Sequence, residues 1–154
     1  MKKIDNPYLE ELNEMIMLHV HIIGKRINEL GAKMMKEKRM PLDLDQLPVL
    51  ICVFLEENLS QQEVATFVNR DKSSVNRTLS VFQKKGLIEI SKHPEDARKT
   101  IIKPTTTGIF IAEQVKQMMY EAEAEIFSFL SKKTRKELLE TLKDISERIS
   151  ENEC

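Results

Sequence analysis

The chain of 154 residues has no tryptophan, two tyrosines and six phenylalanines, so its interior has to be assembled from aliphatic side chains on helices. Its two cysteines are Cys52, inside the apolar run VLICVFL, and Cys154 at the last position; they offer no stapling framework, and both are expected to be reduced thiols. The few glycines form neither a phosphate-cradling loop nor a G-x-S-x-G elbow. Three histidines are present, and His19 and His21 would point about 200° apart on a helix, which prevents them from chelating one metal ion. Neither an enzyme nor a cofactor or metal site is expected. No apolar run approaches the roughly 18 residues that span a bilayer, and the opening MKKIDNPYLEEL lacks a signal peptide's apolar core. A cytoplasmic protein without a membrane partner is the expectation.

What is present is a hydrophobic share of 41% beside 32% charged residues, a balance that supports a soluble fold with a real core. The net charge of −1 conceals a division along the chain. From Leu59 to Lys103, nine cations (Arg70, Lys72, Arg77, Lys84, Lys85, Lys92, Arg98, Lys99 and Lys103) face five anions, so a basic middle lies between acidic flanks. Such a segment suits a local anion partner.

Asn6 and Pro7 suit the cap and first position of a helix, and Leu9, Leu12, Ile16, Ile23, Ile27, Leu30 and Met34 continue it at helical spacing, predicting one long amphipathic helix. Asp43 or Asp45 is placed to cap a second helix through Leu47, Leu50, Ile51, Phe54 and Leu55, with Pro48 in its first turn. Ser60 and Glu63 make a capping box ahead of a short third helix. Asn69, Arg70 and Asp71 break the pattern, and Asp71 can cap a fourth helix carrying Val75, Leu79 and Phe82, which ends at Lys84, Lys85 and Gly86. LIEI and KTIIK around SKHPEDAR predict a β-hairpin. Thr105 can cap a helix through Ile109, Val115, Met119, Ile126 and Phe129, and Ser131 a last one through Leu138, Leu142, Ile145 and Ile149.

Two short helices separated by about three residues, followed by a hairpin, are the pattern of a winged helix-turn-helix. With Val75, Leu79 and Phe82 turned inward, Lys72, Ser73, Asn76 and Arg77 are expected on the outer face near the fourth helix's N-terminus. There backbone N–H groups and the hydroxyls of Ser73 and Ser74 suit a phosphate, while Asn76 and Arg77 suit base edges in a major groove. At the hairpin tip Arg98 and Lys99 suit a minor groove, with Asp96, two residues from Arg98, able to hold its guanidinium. Double-stranded DNA is the expected partner.

LSQQEVA at 59–65, DKSSVNRTLSVFQKKGLIE at 71–89, PEDARK at 94–99 and TTTG at 105–108, in that order, resemble the MarR-type regulators, a winged-helix family of bacterial and archaeal transcription factors. The resemblance covers essentially the whole chain, 1–154, as a single MarR-like domain. It implies a mainly α fold with a small β-hairpin wing: a winged helix-turn-helix at 43–103 between long dimerisation helices at 6–37 and 105–152. It carries Ser73, Ser74, Asn76 and Arg77 over as recognition-helix positions, and Asp96 with Arg98 as the wing pair. Asn76 stands where the family commonly has Thr or Ser, and Pro104 replaces a usual leucine, which is expected to shorten the outgoing strand.

The implied function is a homodimeric regulator, a repressor, with helix 72–85 in the major groove and wing 91–99 in the minor groove of a pseudo-palindromic operator. The family also implies a small aromatic or phenolic effector, for which Met15, His19 and Met34 are the candidate pocket residues. The same methionines would equally pack a dimer core. Two further readings stay open from the sequence: a winged helix that docks a protein without reading DNA, and a ligand-binding carrier.

Overall fold

The computed structural model describes residues 11–56, 59–92 and 100–151. Its elements are α1 (Ile16–Glu37), a 3₁₀ turn (Leu44–Gln46), α2 (Leu47–Leu55), α3 (Gln61–Phe67), α4 (Lys72–Lys84), β1 (Ile88–Lys92), β2 (Thr100–Pro104), α5 (Thr106–Ile126) and α6 (Lys132–Glu151). They fall into two compact units, Met1–Ala112 and Glu113–Cys154, and the winged helix-turn-helix lies wholly in the first.

The first helix is not continuous as the apolar spacing predicts. Met15 is extended at φ −81° and ψ 121°, and α1 begins after it without a side-chain cap. The preceding amides make only short-range bonds, Glu14 N–H to Glu11 O at 3.2 Å and Met15 N–H to Leu12 O at 3.1 Å. Periodicity reports which residues would share a face of a helix, not whether the backbone between them stays helical. Ahead of α2, Asp43 N–H donates to Gln46 Oε1 at 3.1 Å, and the 3₁₀ turn so capped runs straight into the helix, with Pro48 in its first turn. Asp43 rather than Asp45 therefore opens this segment.

The core of the first unit is aliphatic, as the shortage of aromatics requires. Val49, Leu50, Cys52 and Val53 of α2 are buried, together with Val64 and Ala65 of α3, Val75, Leu79 and Phe82 of α4, and Leu87, Ile88, Ile101 and Ile102 around the hairpin. Each valine, leucine, isoleucine or phenylalanine among them, withdrawn from water, contributes roughly 1.5–3 kcal/mol. The strands pair antiparallel with Ile88 opposite Pro104, Ile90 opposite Ile102 and Lys92 opposite Thr100. Described pairing thus reaches Pro104, the last residue of β2, where a missing N–H interrupts no interior rung. Leu59 adds a third, single-residue bridge: Ile102 N–H donates to Leu59 O at 2.9 Å, an interaction between residues 43 positions apart that no local pattern announces.

After α4, Gly86 takes φ +66°, and Leu87 N–H returns to Phe82 O at 2.9 Å, closing the helix with a left-handed residue. Thr105 fastens the next helix to this turn. Its hydroxyl donates to Gly86 O at 2.6 Å and accepts from Gly108 N–H at 3.0 Å, while its own N–H donates to Leu87 O at 3.0 Å. Gly108 lies so close to the Leu87 carbonyl that no Cβ fits there. Helix α5 ends at Ile126, so Phe129, expected within it, is instead in the following turn, 80% exposed. In that turn Ser128 and Leu130 N–H groups bond three residues back, a tightening that ends the α-helical ladder. Ser131 Oγ accepts from Thr134 N–H at 3.1 Å and caps α6.

Candidate nucleic-acid interface

Helix α3 has only seven residues and depends on its ends. Ser60 N–H donates to Glu63 Oε2 at 2.7 Å and Glu63 N–H to Ser60 Oγ at 3.3 Å, the reciprocal capping box expected from the sequence. At the other end Asn69 is left-handed at φ +49°, and Arg70 N–H returns to Ala65 O at 3.1 Å. This reverses the chain within a few residues and lets α4 begin at once. Arg70 also donates from Nη1 to Asp45 O at 2.8 Å, tying the turn to the segment before α2.

Asp71 accepts from Ser74 N–H at 2.8 Å and caps α4. Val75, Thr78, Leu79 and Phe82 form its buried face. Diametrically opposite, at i, i+4, i+7 and i+11, run Ser73, Arg77, Ser80 and Lys84, all exposed, with Lys72 exposed beside the first turn. The expected cluster is therefore only partly outward. Lys72, Ser73 and Arg77 are exposed, whereas Ser74 and Asn76 are half-buried on opposite flanks. Thr78 Oγ1 donates to Ser74 O at 3.3 Å, Ser80 Oγ donates to Asn76 O at 2.8 Å, and Asn76 Oδ1 is enclosed without a hydrogen-bond partner. Ser80 and Lys84, absent from the sequence-derived set, share the outward row; the same 3.6-residue spacing that placed Ser73 and Arg77 could have found them. Lys85 is exposed at the helix end and donates from Nζ to Pro41 O.

Asp96, Arg98 and Lys99 of the wing, with His93, lie outside the described residues; the strands that lead to them are β1 and β2. Met15, His19 and Met34 do not converge within one chain, because roughly 27 Å of helix separates Met15 from Met34. His19 is exposed, with Nε2 2.7 Å from Asn13 O. A cleft of about 550 Å³ lies instead at the far end of α1, lined by Met35, Lys36, Arg39, Met40, Leu42 and Leu44 among others. Cys52 is fully buried; burial, and secondarily the Glu56 carboxylate, push its thiol pKa up, which suits an inert packing residue. Among the described residues no cluster of His, Cys, Asp and Glu could hold a metal ion, and no helix is long and apolar enough to cross a membrane.

Residues 42–100 match the model of the MarR family. Two curated relatives come from Bacillus subtilis strain 168. The uncharacterized HTH-type transcriptional regulator YdgJ is 26% identical over 109 residues, covering 71% of this chain and 66% of its own; its counterpart YdcH is 29% identical over 82 residues, covering 49% and 56%. The chain thus spans between about half and two thirds of the length of these relatives. Among solved structures, a MepR–DNA complex from S. aureus superposes with a TM-score of 0.75 at 19% identity, covering 88% of this chain and 98% of that one. Wild-type MarR from E. coli in its apo form gives 0.71 at 21% identity, covering 85% and 96%. At those identities the likeness is one of fold, and the family match falls on the segment that builds α2, α3, α4 and β1 and ends at Thr100, the first residue of β2. Over residues 42–100 the chain is thus similar to the MarR family, and its fold is that of the MarR and MepR structures.

Proposed function

We propose that this protein is a DNA-binding transcriptional regulator, acting as a repressor, that grips a pseudo-palindromic operator as a homodimer. Residues 72–85 enter the major groove and the wing, 91–99, the minor groove. The observation that carries the reading is the outward row of α4: Ser73, Arg77, Ser80 and Lys84 stand exposed on a helix whose other face is locked into the core. A cationic, hydrogen-bonding ridge on a rigid support is what groove reading requires. Its family relatives include HTH-type transcriptional regulators, and MepR has been solved on DNA.

The homodimer reading is supported by apolar stripes that the single chain leaves in water. On α6, Leu138, Leu142, Ile145 and Ile149 recur at helical spacing and are each more than a third exposed; on α1, Val20, Ile23 and Ile27 are about half exposed. Contiguous exposed apolar surface of this kind marks an interface, and a second copy supplies the two-fold symmetry that paired half-sites need. A small aromatic or phenolic effector would act by binding one dimer conformer in preference to the other.

Selection of bound duplexes from a random pool tests the reading directly. A recovered two-fold site, binding that weakens steeply with added salt, and a dimer in sedimentation are the expected results. Equal retention of selected and scrambled duplexes would refute it and favour a winged helix that docks a protein instead.

A further inference from the structure

The proposal concerns Asn76 and rests on the DNA-binding reading above. Its Oδ1 is the one buried side-chain polar atom among the described residues that lacks a hydrogen-bond partner. A carbonyl oxygen withdrawn from water and left unpaired carries its whole desolvation penalty. Local structure does not account for it. Asparagine is a poor residue for a helix interior, and the Asn76 main-chain carbonyl is already taken up by the Ser80 hydroxyl at 2.8 Å. Nor is the residue committed to the core. It is half-buried, one turn before buried Leu79 and exposed Ser80, and one turn after exposed Lys72 and Ser73.

We infer that Asn76 reads an adenine in each half-site: the acceptor that is orphaned in the free protein turns outward on the duplex and is paired there. A side chain at the edge of the outward row reaches the groove by rotation about χ1; water satisfies the turned-out oxygen in the free protein, and on the duplex, where that water is displaced, a base-edge donor has to replace it. The carboxamide presents one acceptor and one donor side by side, which match the N6 amino group and N7 of adenine. Guanine offers two acceptors on the same edge and would leave Oδ1 unpaired again. Asn76 is in this sense a specificity residue, because on the duplex its oxygen stays paired only against the correct base.

The test starts from the half-site that the wild-type protein selects from a random pool. Each base pair is then replaced in turn, and affinities are measured for wild type, Asn76→Ser and Arg77→Ala, with melting temperatures of the free proteins alongside. Serine has a helix propensity close to that of asparagine and can satisfy its hydroxyl on its own helix. Wild type is expected to prefer adenine at one position by about 10-fold or more. Asn76→Ser should lose that preference alone, keep discrimination at the positions that Arg77→Ala affects, and melt no lower than wild type. A lower melting temperature, a uniform loss of affinity at every position, retention of the adenine preference, or a wild-type half-site with no such position would each overturn the inference while leaving DNA binding intact. A wild-type protein with no sequence preference at all overturns the regulator reading itself.

Discussion

Replacing Gly108 by alanine adds one methyl group, and the structure gives that methyl nowhere to go. Its Cβ would lie 2.9 Å from the Leu87 carbonyl carbon and 3.3 Å from the Leu87 Cα, with the carbonyl oxygen nearer still; all three are main-chain atoms and cannot rotate away. Helix α5 would have to lift from the Gly86–Leu87 turn. That movement strains the bonds from the Thr105 hydroxyl to Gly86 O and from Thr105 N–H to Leu87 O. Overpacking costs about 1–3 kcal/mol and each bond about 1 kcal/mol, against a gain of at most about 1 kcal/mol from removing a helical glycine. The net loss is about 2–4 kcal/mol, a large part of the 5–15 kcal/mol or so that holds a domain together. Denaturant unfolding at fixed protein concentration measures it, and the melting temperature should fall by roughly 5–15 °C for a chain of this size. A Gly108→Ala variant as stable as wild type, or more so, would refute the close approach on which the reasoning depends.

Arg77→Ala should weaken specific DNA binding by about 1–3 kcal/mol, and an unchanged preference for operator over random duplex would count against its role. Arg98→Ala should weaken the grip of the wing; equal affinity of variant and wild type across a salt series would dismiss a minor-groove contact. Asp71→Ala and Ser60→Ala each remove a cap and should each cost about 1 kcal/mol in denaturant unfolding; no loss would mean that those helix ends are held otherwise. Because burial raises the Cys52 pKa, the fold favours the neutral thiol, so this residue's contribution to stability holds in full below the ordinary thiol range and is lost as pH rises beyond it through the raised folded value. In a Cys154→Ser background, Cys52 should resist iodoacetamide at pH 8 until denaturant is added, and rapid labelling of the native protein would contradict its burial.

Much of this architecture was determined by the chain locally. The Ser60–Glu63 box, Asp71, Gly86 and Thr105 each act within a few residues, so spacing alone located the ends of α3 and α4, the start of α5 and the two strands between them. The 3.6-residue period separated the buried face of α4 from its outward row, and so made the exposure of Ser73 and Arg77 legible. Tertiary structure decided what period and propensity do not encode. The break at Met15 falls inside a stretch whose apolar spacing runs on across it, so no pattern marks it. Asn76 lies at a boundary angle of the helix wheel, where the neighbouring surface, and not the sequence, decides whether an amide points to water or is enclosed. The Leu59–Ile102 bridge, the Lys85 and Arg70 bonds to main-chain carbonyls 44 and 25 residues away, and the contact that forbids a side chain at Gly108 all join segments that meet only after the core has closed. Interactions within one helical turn can be read along the chain; those between distant segments exist only once packing has fixed which backbones come together.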